Sequence, residues 1–239
     1  IREAAGAKEP FFAVIWFHAP HSPVIAGPEH RKMYSNHNED EQHYYGCITA
    51  MDEQIGRLRR ELGELAIADD AMLWFCSDNG PEGKDGKSGR HRGSAGPFRG
   101  RKRSLFEGGV RVPALLLWPS KIKKPRTVRT PCTTSDYYPT ILDVLGLKPK
   151  AQPQPIDGIS ILPLIEGKTE SRPAPIAFQS HGAVSLTDNR YKLIKPGPID
   201  ARRGFCRPQE VDKFMLFDLL ADPAETKDIS AEKPQIFST

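Results

Sequence analysis

Long hydrophobic runs are scarce in this 239-residue chain. The longest, residues 11–17 and 114–118, fall far short of the roughly 20 residues that cross a bilayer as a helix, so no membrane span is expected. Cysteine is sparse too. The four, at 47, 76, 132 and 206, form no C-x-x-C pair, which argues against a structural zinc site of the usual spacing. Cys76 ends an apolar run and reads as a small core residue. Neither sign of charge dominates: 34 Lys and Arg against 30 Asp and Glu leave +4. With 38% hydrophobic residues, that balance excludes a fully disordered chain. Glycine and proline are plentiful but have no period, which excludes collagen and simple repeats. The start has neither an initiator Met nor a signal-peptide pattern.

What is present is organised. Eight basic residues (84, 87, 90, 92, 99, 101, 102 and 103) crowd one glycine-rich segment, beside Glu82 and Asp85. Such a loop either holds anions or is merely solvated. Stacking aromatics do not alternate with these charges, since Phe98 and Phe106 only flank them; no nucleic acid partner is expected.

Residues 10–17 (PFFAVIWF) read as a strand buried on both faces, as in a parallel sheet. A proline-rich loop follows. Tyr44, Ile48, Met51, Ile55, Leu58, Leu62 and Leu65 then step by alternating fours and threes. That is one face of an amphipathic helix over about 39–65, with Asn38 and Glu41 as its capping box. Residues 71–76 and 110–118 read as two more strands. Residues 135–145 read as a helix, capped by Thr134 or Ser135 and stopped by Gly146. The pattern is α/β, an open sheet flanked by helices. From about residue 152 the texture changes. Short apolar runs at 176–179, 183–187, 191–194 and 215–219, with an Asp188-Asn189 turn between two of them, predict a small antiparallel sheet. The expected division is therefore an α/β portion over 1–150 and a C-terminal subdomain over 151–239.

Ligands of open α/β sheets bind beyond the carboxyl ends of strands. That rule selects His21, after the first run, and Asp78-Asn79, after the second. Asp78 and Asn79 offer hard oxygens suited to Ca²⁺ or Mg²⁺, although Asp-Asn-Gly is equally turn chemistry and two donors are too few for a cation. His21 is flanked by Pro20 and Pro23, and its reading is divided between structure and catalysis. Lys102 is one basic residue among eight, but it lies just before Glu107-Gly-Gly-Val-Arg111, where two glycines permit sharp turns and close approach.

Several segments carry a resemblance. They are Ala19-Pro-His-Ser-Pro23, Ser77-Asp-Asn-Gly80, and Lys102 followed by Phe106-Glu-Gly-Gly-Val-Arg-Val-Pro113. Next come Tyr138-Pro-Thr-Ile-Leu-Asp-Val-Leu-Gly146 and Ile156-Asp-Gly-Ile-Ser160. Last are Arg190-Tyr-Lys-Leu-Ile194, Leu216-Phe-Asp-Leu219 and Asp222-Pro-Ala-Glu225. In this order the chain resembles the C-terminal half of the formylglycine-dependent sulfatases of the alkaline phosphatase superfamily. The resemblance implies that Asp78 and Asn79 are two ligands of a divalent cation, usually Ca²⁺. It implies that Lys102 contacts a sulfate oxygen and that His21 faces the sulfate and stabilises or protonates the leaving oxygen. His181 would approach the sugar. The implied substrates are sulfate esters of sugars or aryl alcohols.

The departure is as clear. The family's nucleophile is a formylglycine made from the Cys or Ser of a Cys/Ser-x-Pro-x-Arg signature, and no such signature occurs here. The family's paired Asp-Asp is missing as well; Asp69-Asp70 precedes its strand instead of following one. The absent N-terminal half, or an oligomer partner, is expected to cover the apolar surface left over. The rival readings are a phosphonate or phosphodiester hydrolase of the same superfamily and a non-catalytic binder of sulfated glycans through the 84–103 loop. Asp52 reads as a solvated helix position or as support for the site. Arg90, His91 and Arg92 line the cleft mouth or face solvent. The resemblance favours export or a lysosome as the setting.

Overall fold

The computed structural model describes residues 1–83, 85–87, 89–148 and 155–237. They form two compact units. One comprises Ile1–Cys76, Pro81–Ser94 and Ala114–Lys123; the other comprises Ser77–Gly80, Ala95–Pro113 and the described part of Lys124–Thr239. The expected boundary at residue 150 lies outside the described residues, as does Lys84.

The first unit is built on one long helix. Short helices α1 (Arg2–Ala7) and α2 (Pro28–Lys32) precede α3 (Glu39–Glu64). Asn38 caps α3 as expected: it is extended, and its Oδ1 accepts the Glu41 N–H at 3.1 Å. Glu39, Asp40 and Glu41 fill the first turn, where negative charge meets the positive end of the helix dipole. The buried side of α3 meets the proline-rich loop at Gly46. A Cβ there would come within 2.7 Å of the Ala26 Cβ, so only glycine lets the loop lie this close. Val24, Ala26 and Cys47 form the resulting core, with Ala19 and Tyr44 packed against it. His43 is buried beside them, its Nδ1 accepting the Ala26 N–H, and burial pushes its pKa down.

β1 (Leu73–Cys76) pairs antiparallel with β2 (Ala114–Leu117), Leu73 opposite Leu117 and Cys76 opposite Ala114. Three expectations are corrected here. Residues 11–17 are not a strand. Phe12 is 76% and Trp16 91% exposed, and among the described residues β1 pairs with β2 alone. Apolarity drives burial but does not supply a ladder partner, and a strand exists only when paired. The strand predicted over 110–118 is shorter, because its first residue closes a helical turn. Cys76 is half-buried, not a core residue.

The second unit opens its regular structure with α4 (Glu107–Val110). A 3₁₀ turn at Thr134–Asp136 then runs into α5 (Tyr137–Leu145), which ends on Gly146 at φ 63°. The cap is Thr133, one residue ahead of the expected Thr134 or Ser135, because the reciprocal box closes between Thr133 and Asp136. Asp136 is fully buried. It receives the Arg172 guanidinium at 3.0 and 3.3 Å and the N–H groups of Thr133 and Ile159, so every oxygen is satisfied. α6 (Leu162–Ile165) follows.

Four strands form the antiparallel sheet predicted for the C-terminal portion, in the order β3 (Ile176–Ser180), β4 (Ala183–Thr187), β5 (Tyr191–Lys195), β6 (Met215–Asp218). The Asp188-Asn189 turn is real: Asp188 Oδ1 accepts the N–H groups of Arg190 and Tyr191. Alternation along β4 and β5 turns Ala183, Ser185, Thr187, Lys192 and Ile194 inward. α7 (Pro198–Arg202) lies between β5 and β6 in sequence. Leu105, Phe106, Ala183, Ile194, Cys206, Met215 and Phe217 make the core behind the sheet. Phe106 meets Phe217 edge-on at 6.3 Å, and the Arg99 guanidinium lies 4.0 Å over the Phe106 ring.

Removing one member of a buried, bidentate pair leaves an uncompensated charge. Arg172→Leu is therefore expected to destabilise the fold by about 3–5 kcal/mol, against about 1 kcal/mol for Asn38→Ala at the α3 cap. Urea unfolding of both variants checks the ranking.

Candidate active site

The site is best built from glycine outward. Gly108 and Gly109, at the centre of α4, are buried. A Cβ on Gly108 would stand 2.1 Å from the Gly100 carbonyl oxygen, and one on Gly109 would stand 2.1 Å from that of Ser104. A Cβ on Gly80 would stand 1.9 Å from the Gly108 carbonyl oxygen. All three contacts lie below any real Cβ separation, so the three segments can close only on glycine. Hydrogen bonds fasten them. The Gly80 N–H donates to the Gly109 carbonyl at 2.8 Å, the Gly108 N–H to the Arg99 carbonyl at 2.6 Å, and the Ser77 N–H to the Pro113 carbonyl at 3.2 Å.

This interlock carries three of the predicted site residues on adjoining segments. Asp78 is exposed and Asn79 half-buried immediately before Gly80, with the Asn79 carbonyl accepting the Ser77 hydroxyl at 3.0 Å. Lys102 is half-buried inside the Arg101–Ser104 turn, which the Ser104 N–H closes on the Arg101 carbonyl. The Lys102 carbonyl accepts Arg203 Nη1 at 3.1 Å. His181 lies in the same unit, at the exposed tip of the β3–β4 hairpin, with φ 50° and its Nδ1 2.7 Å from Ser180 Oγ. His21 belongs to the first unit. It is exposed, its backbone N–H donates to the His18 carbonyl, and its Nδ1 donates to the Ser22 carbonyl at 2.9 Å. That bond leaves Nε2 as the ring nitrogen open to a ligand.

The cation reading can be tested on donor chemistry. A carboxylate and an amide side by side, both reachable, suit a hard cation. They are a partial set: among the described residues no group of three or more His, Cys, Asp and Glu is placed to hold a metal.

The basic segment is largely engaged. Within the first unit, Arg90 donates to the Val24 carbonyl at 2.9 Å and faces Asp40 at 3.6 Å; Arg92 also faces Asp40 at 3.6 Å. Within the second, Arg99 donates to the carbonyls of Phe205 and Glu225. Asp52 is exposed on α3.

Sequence reasoning missed the charges beneath the glycine turn. Lys192 is wholly buried, with its Nζ 2.9 Å from Glu107 Oε1 and 3.1 Å from Glu225 Oε1. Glu225 Oε2 accepts the Glu107 N–H at 2.5 Å. Burial pushes the Glu225 carboxyl up to about 7, opposed by the nearby Lys192. Asp200, also buried and raised by burial, accepts the Ser104 hydroxyl and the Gly197 N–H. The available signal was a lysine two residues from Ile194, on the same face of β5.

Residues 1–147 match the family model Sulfatase, and residues 96–236 match the model for the C-terminal part of N-sulphoglucosamine sulphohydrolase. Human steryl-sulfatase is 30% identical over 218 residues, covering 81% of this chain and 37% of that protein. A sulfatase of Formosa agariphila is 30% identical over 254 residues, covering 98% and 44%. Human N-acetylgalactosamine-6-sulfatase is 32% identical over 176 residues, covering 69% and 30%. The crystal structure of Ps i-CgsB superposes with a TM-score of 0.82 at 26% identity, covering 99% of this chain and 49% of that one. That protein has also been solved in complex with k-i-k-neocarrahexaose. The chain belongs to the sulfatase family, and its fold is that of the alkaline-phosphatase-like sulfatases. It spans less than half the length of these relatives.

A carboxyl whose folded pKa is raised adds stability below its unfolded pKa, and that contribution is lost as pH rises through the folded value. Wild-type protein is therefore expected to lose stability relative to Glu225→Gln between about pH 4.5 and 7. Paired urea titrations at pH 5 and pH 8 measure the difference.

Proposed function

We propose that this chain forms part of the active site of a sulfuric ester hydrolase acting on sulfated carbohydrates or aryl sulfates. The observation that carries the reading is the glycine interlock, which puts the Asp78-Asn79 segment and the Lys102 turn on one rigid support. Membership of the sulfatase family favours sulfate over phosphonate or phosphodiester. The amino-sugar name of one relative and the oligosaccharide bound by another favour carbohydrate.

Cleaving a sulfate ester builds negative charge on the bridging oxygen and on the sulfuryl oxygens. In this reading the Lys102 ammonium binds one sulfuryl oxygen and holds the group still. His21, protonated at Nε2, gives its proton to the departing oxygen. Asp78 and Asn79 supply two oxygens to a Ca²⁺ or Mg²⁺ site, and a bound cation there contributes charge stabilisation. His181 contacts the sugar side of the substrate. The remaining cation ligands and the formylglycine nucleophile come from outside these 239 residues, since no Cys/Ser-x-Pro-x-Arg occurs among them. Export or lysosomal delivery is the proposed setting.

Loss of a nucleophile costs orders of magnitude even when the surrounding groups are intact. The purified chain is expected to show no appreciable turnover of 4-nitrophenyl sulfate. The full-length gene product is expected to hydrolyse it, with Lys102→Ala or Asp78→Ala lowering kcat/KM by about a hundredfold or more. Faster cleavage of 4-nitrophenyl phosphate or phosphonate esters would transfer the reading to the rival hydrolases. Robust sulfatase activity in the isolated chain, abolished by Lys102→Ala, would overturn the role given to an outside nucleophile.

A further inference from the structure

We infer that Glu107, Lys192 and Glu225 are positioning residues for the reaction, a buried cluster through which the C-terminal sheet sets the geometry of the Lys102 and Asp78-Asn79 segments. The inference rests on the sulfatase reading only for which reaction is affected.

The chain of contacts is short. Lys192 projects from β5 into the core, wholly buried, and bridges a carboxylate of α4 and a carboxylate of the 222–225 turn. Glu225 does more than neutralise it. Its other oxygen takes the Glu107 N–H at the start of α4, and its own carbonyl takes Arg99 Nη1 at 3.0 Å. Glu225 sits at φ 56°, a conformation non-glycine residues rarely adopt. The surrounding bonds therefore impose the position. Arg111 adds a partly exposed guanidinium 3.5 Å from the second Glu107 oxygen. Glu107 is thus held by its backbone and by both side-chain oxygens. The two residues after it are Gly108 and Gly109, on which Gly80, Gly100 and Ser104 close. A shift of α4 by a few tenths of an ångström moves the supports of Asp78, Asn79 and Lys102 together.

Removing the acceptor that holds the Glu107 N–H should loosen the interlock without melting the sheet. Glu225→Leu removes the acceptor while filling most of its space. In this chain it is expected to raise hydrogen exchange at the Gly80, Gly108 and Gly109 amides at least tenfold, with the β4 and β5 amides still protected. Glu225→Gln, whose side-chain oxygen still accepts the Glu107 N–H, is expected to keep wild-type protection there. In the full-length gene product, Glu225→Leu is expected to lower kcat/KM for 4-nitrophenyl sulfate between about ten- and a hundredfold, the cost of ångström-scale misplacement. Combined with Lys102→Ala, it is expected to lower kcat/KM by clearly less than the product of the two separate losses, because part of its effect runs through Lys102. Unchanged exchange at the three glycines overturns the inference. So does faster exchange with unaltered kcat/KM, or with losses that multiply with those of Lys102→Ala, which marks a structural role only. A wild-type enzyme that cleaves no sulfate ester defeats the functional reading instead, and the exchange measurement still decides whether the cluster holds the interlock.

Discussion

An ammonium taken wholly out of water needs carboxylates in contact with it, and Lys192 has two. Much of the second unit is arranged around that requirement. Placing Lys192 inward on β5 fixes the register of the sheet, since a one-residue slip would send it to solvent and bring Tyr191 in. Bridging Glu107 and Glu225 then joins three segments that are distant in sequence. Such a cluster is weak evidence for added stability, because desolvation offsets most of the attraction. Its stronger effect is directional. Charges and hydrogen bonds tolerate far less displacement than apolar contacts, so the ionic core specifies where α4 lies while Phe106, Ile194 and Phe217 supply the bulk of the burial.

Glycine converts that placement into a fixed arrangement of loops. Three backbone segments meet with no side chain between them, and each contact would be impossible for any other residue. Close backbone packing of this kind leaves the loops few alternative arrangements, as preorganised electrostatic catalysis requires. The polar groups beneath follow the same logic. Ser104, whose carbonyl faces Gly109, is tied through its hydroxyl to buried Asp200, and Asp200 in turn receives the Gly197 N–H. The segment bearing Lys102 is thereby held on both sides.

Legibility in the sequence followed the range of the interaction only in part. Elements stabilised by near neighbours were readable: the cap and seam of α3, the Gly146 stop, the Asp188-Asn189 turn, the four C-terminal strands. So were the strands of the remote β1–β2 pair, whereas the strand expected over residues 11–17 was misread. Residues 11–17 have the composition of a buried strand yet stand exposed and unpaired among the described residues, because composition encodes a preference for burial and says nothing about which strand lies alongside. The charged segment misled for a related reason. Arg90 and Arg92 answer Asp40 at the start of α3, and Arg99 answers carbonyls more than a hundred residues away, so a local count overstates the free charge. Of the candidate site, the sequence marked Asp78, Asn79 and Lys102 by position and motif, and the structure sets their segments side by side; Glu225 and Lys192 look like ordinary surface charges until the fold buries them.

The two family models overlap on residues 96–147, the stretch that holds the Lys102 turn and the double glycine. Structure gives this overlap a physical sense. The segment faces Asp78-Gly80 through its glycines and the C-terminal sheet through Glu107, so it cannot be assigned to either side alone. A substitution on β5 or in the 222–225 turn therefore reaches the Lys102 and Asp78-Asn79 segments through two contacts, one ionic and one between backbones. Residues of the C-terminal sheet that touch no substrate can for this reason carry constraints as severe as those on residues that do.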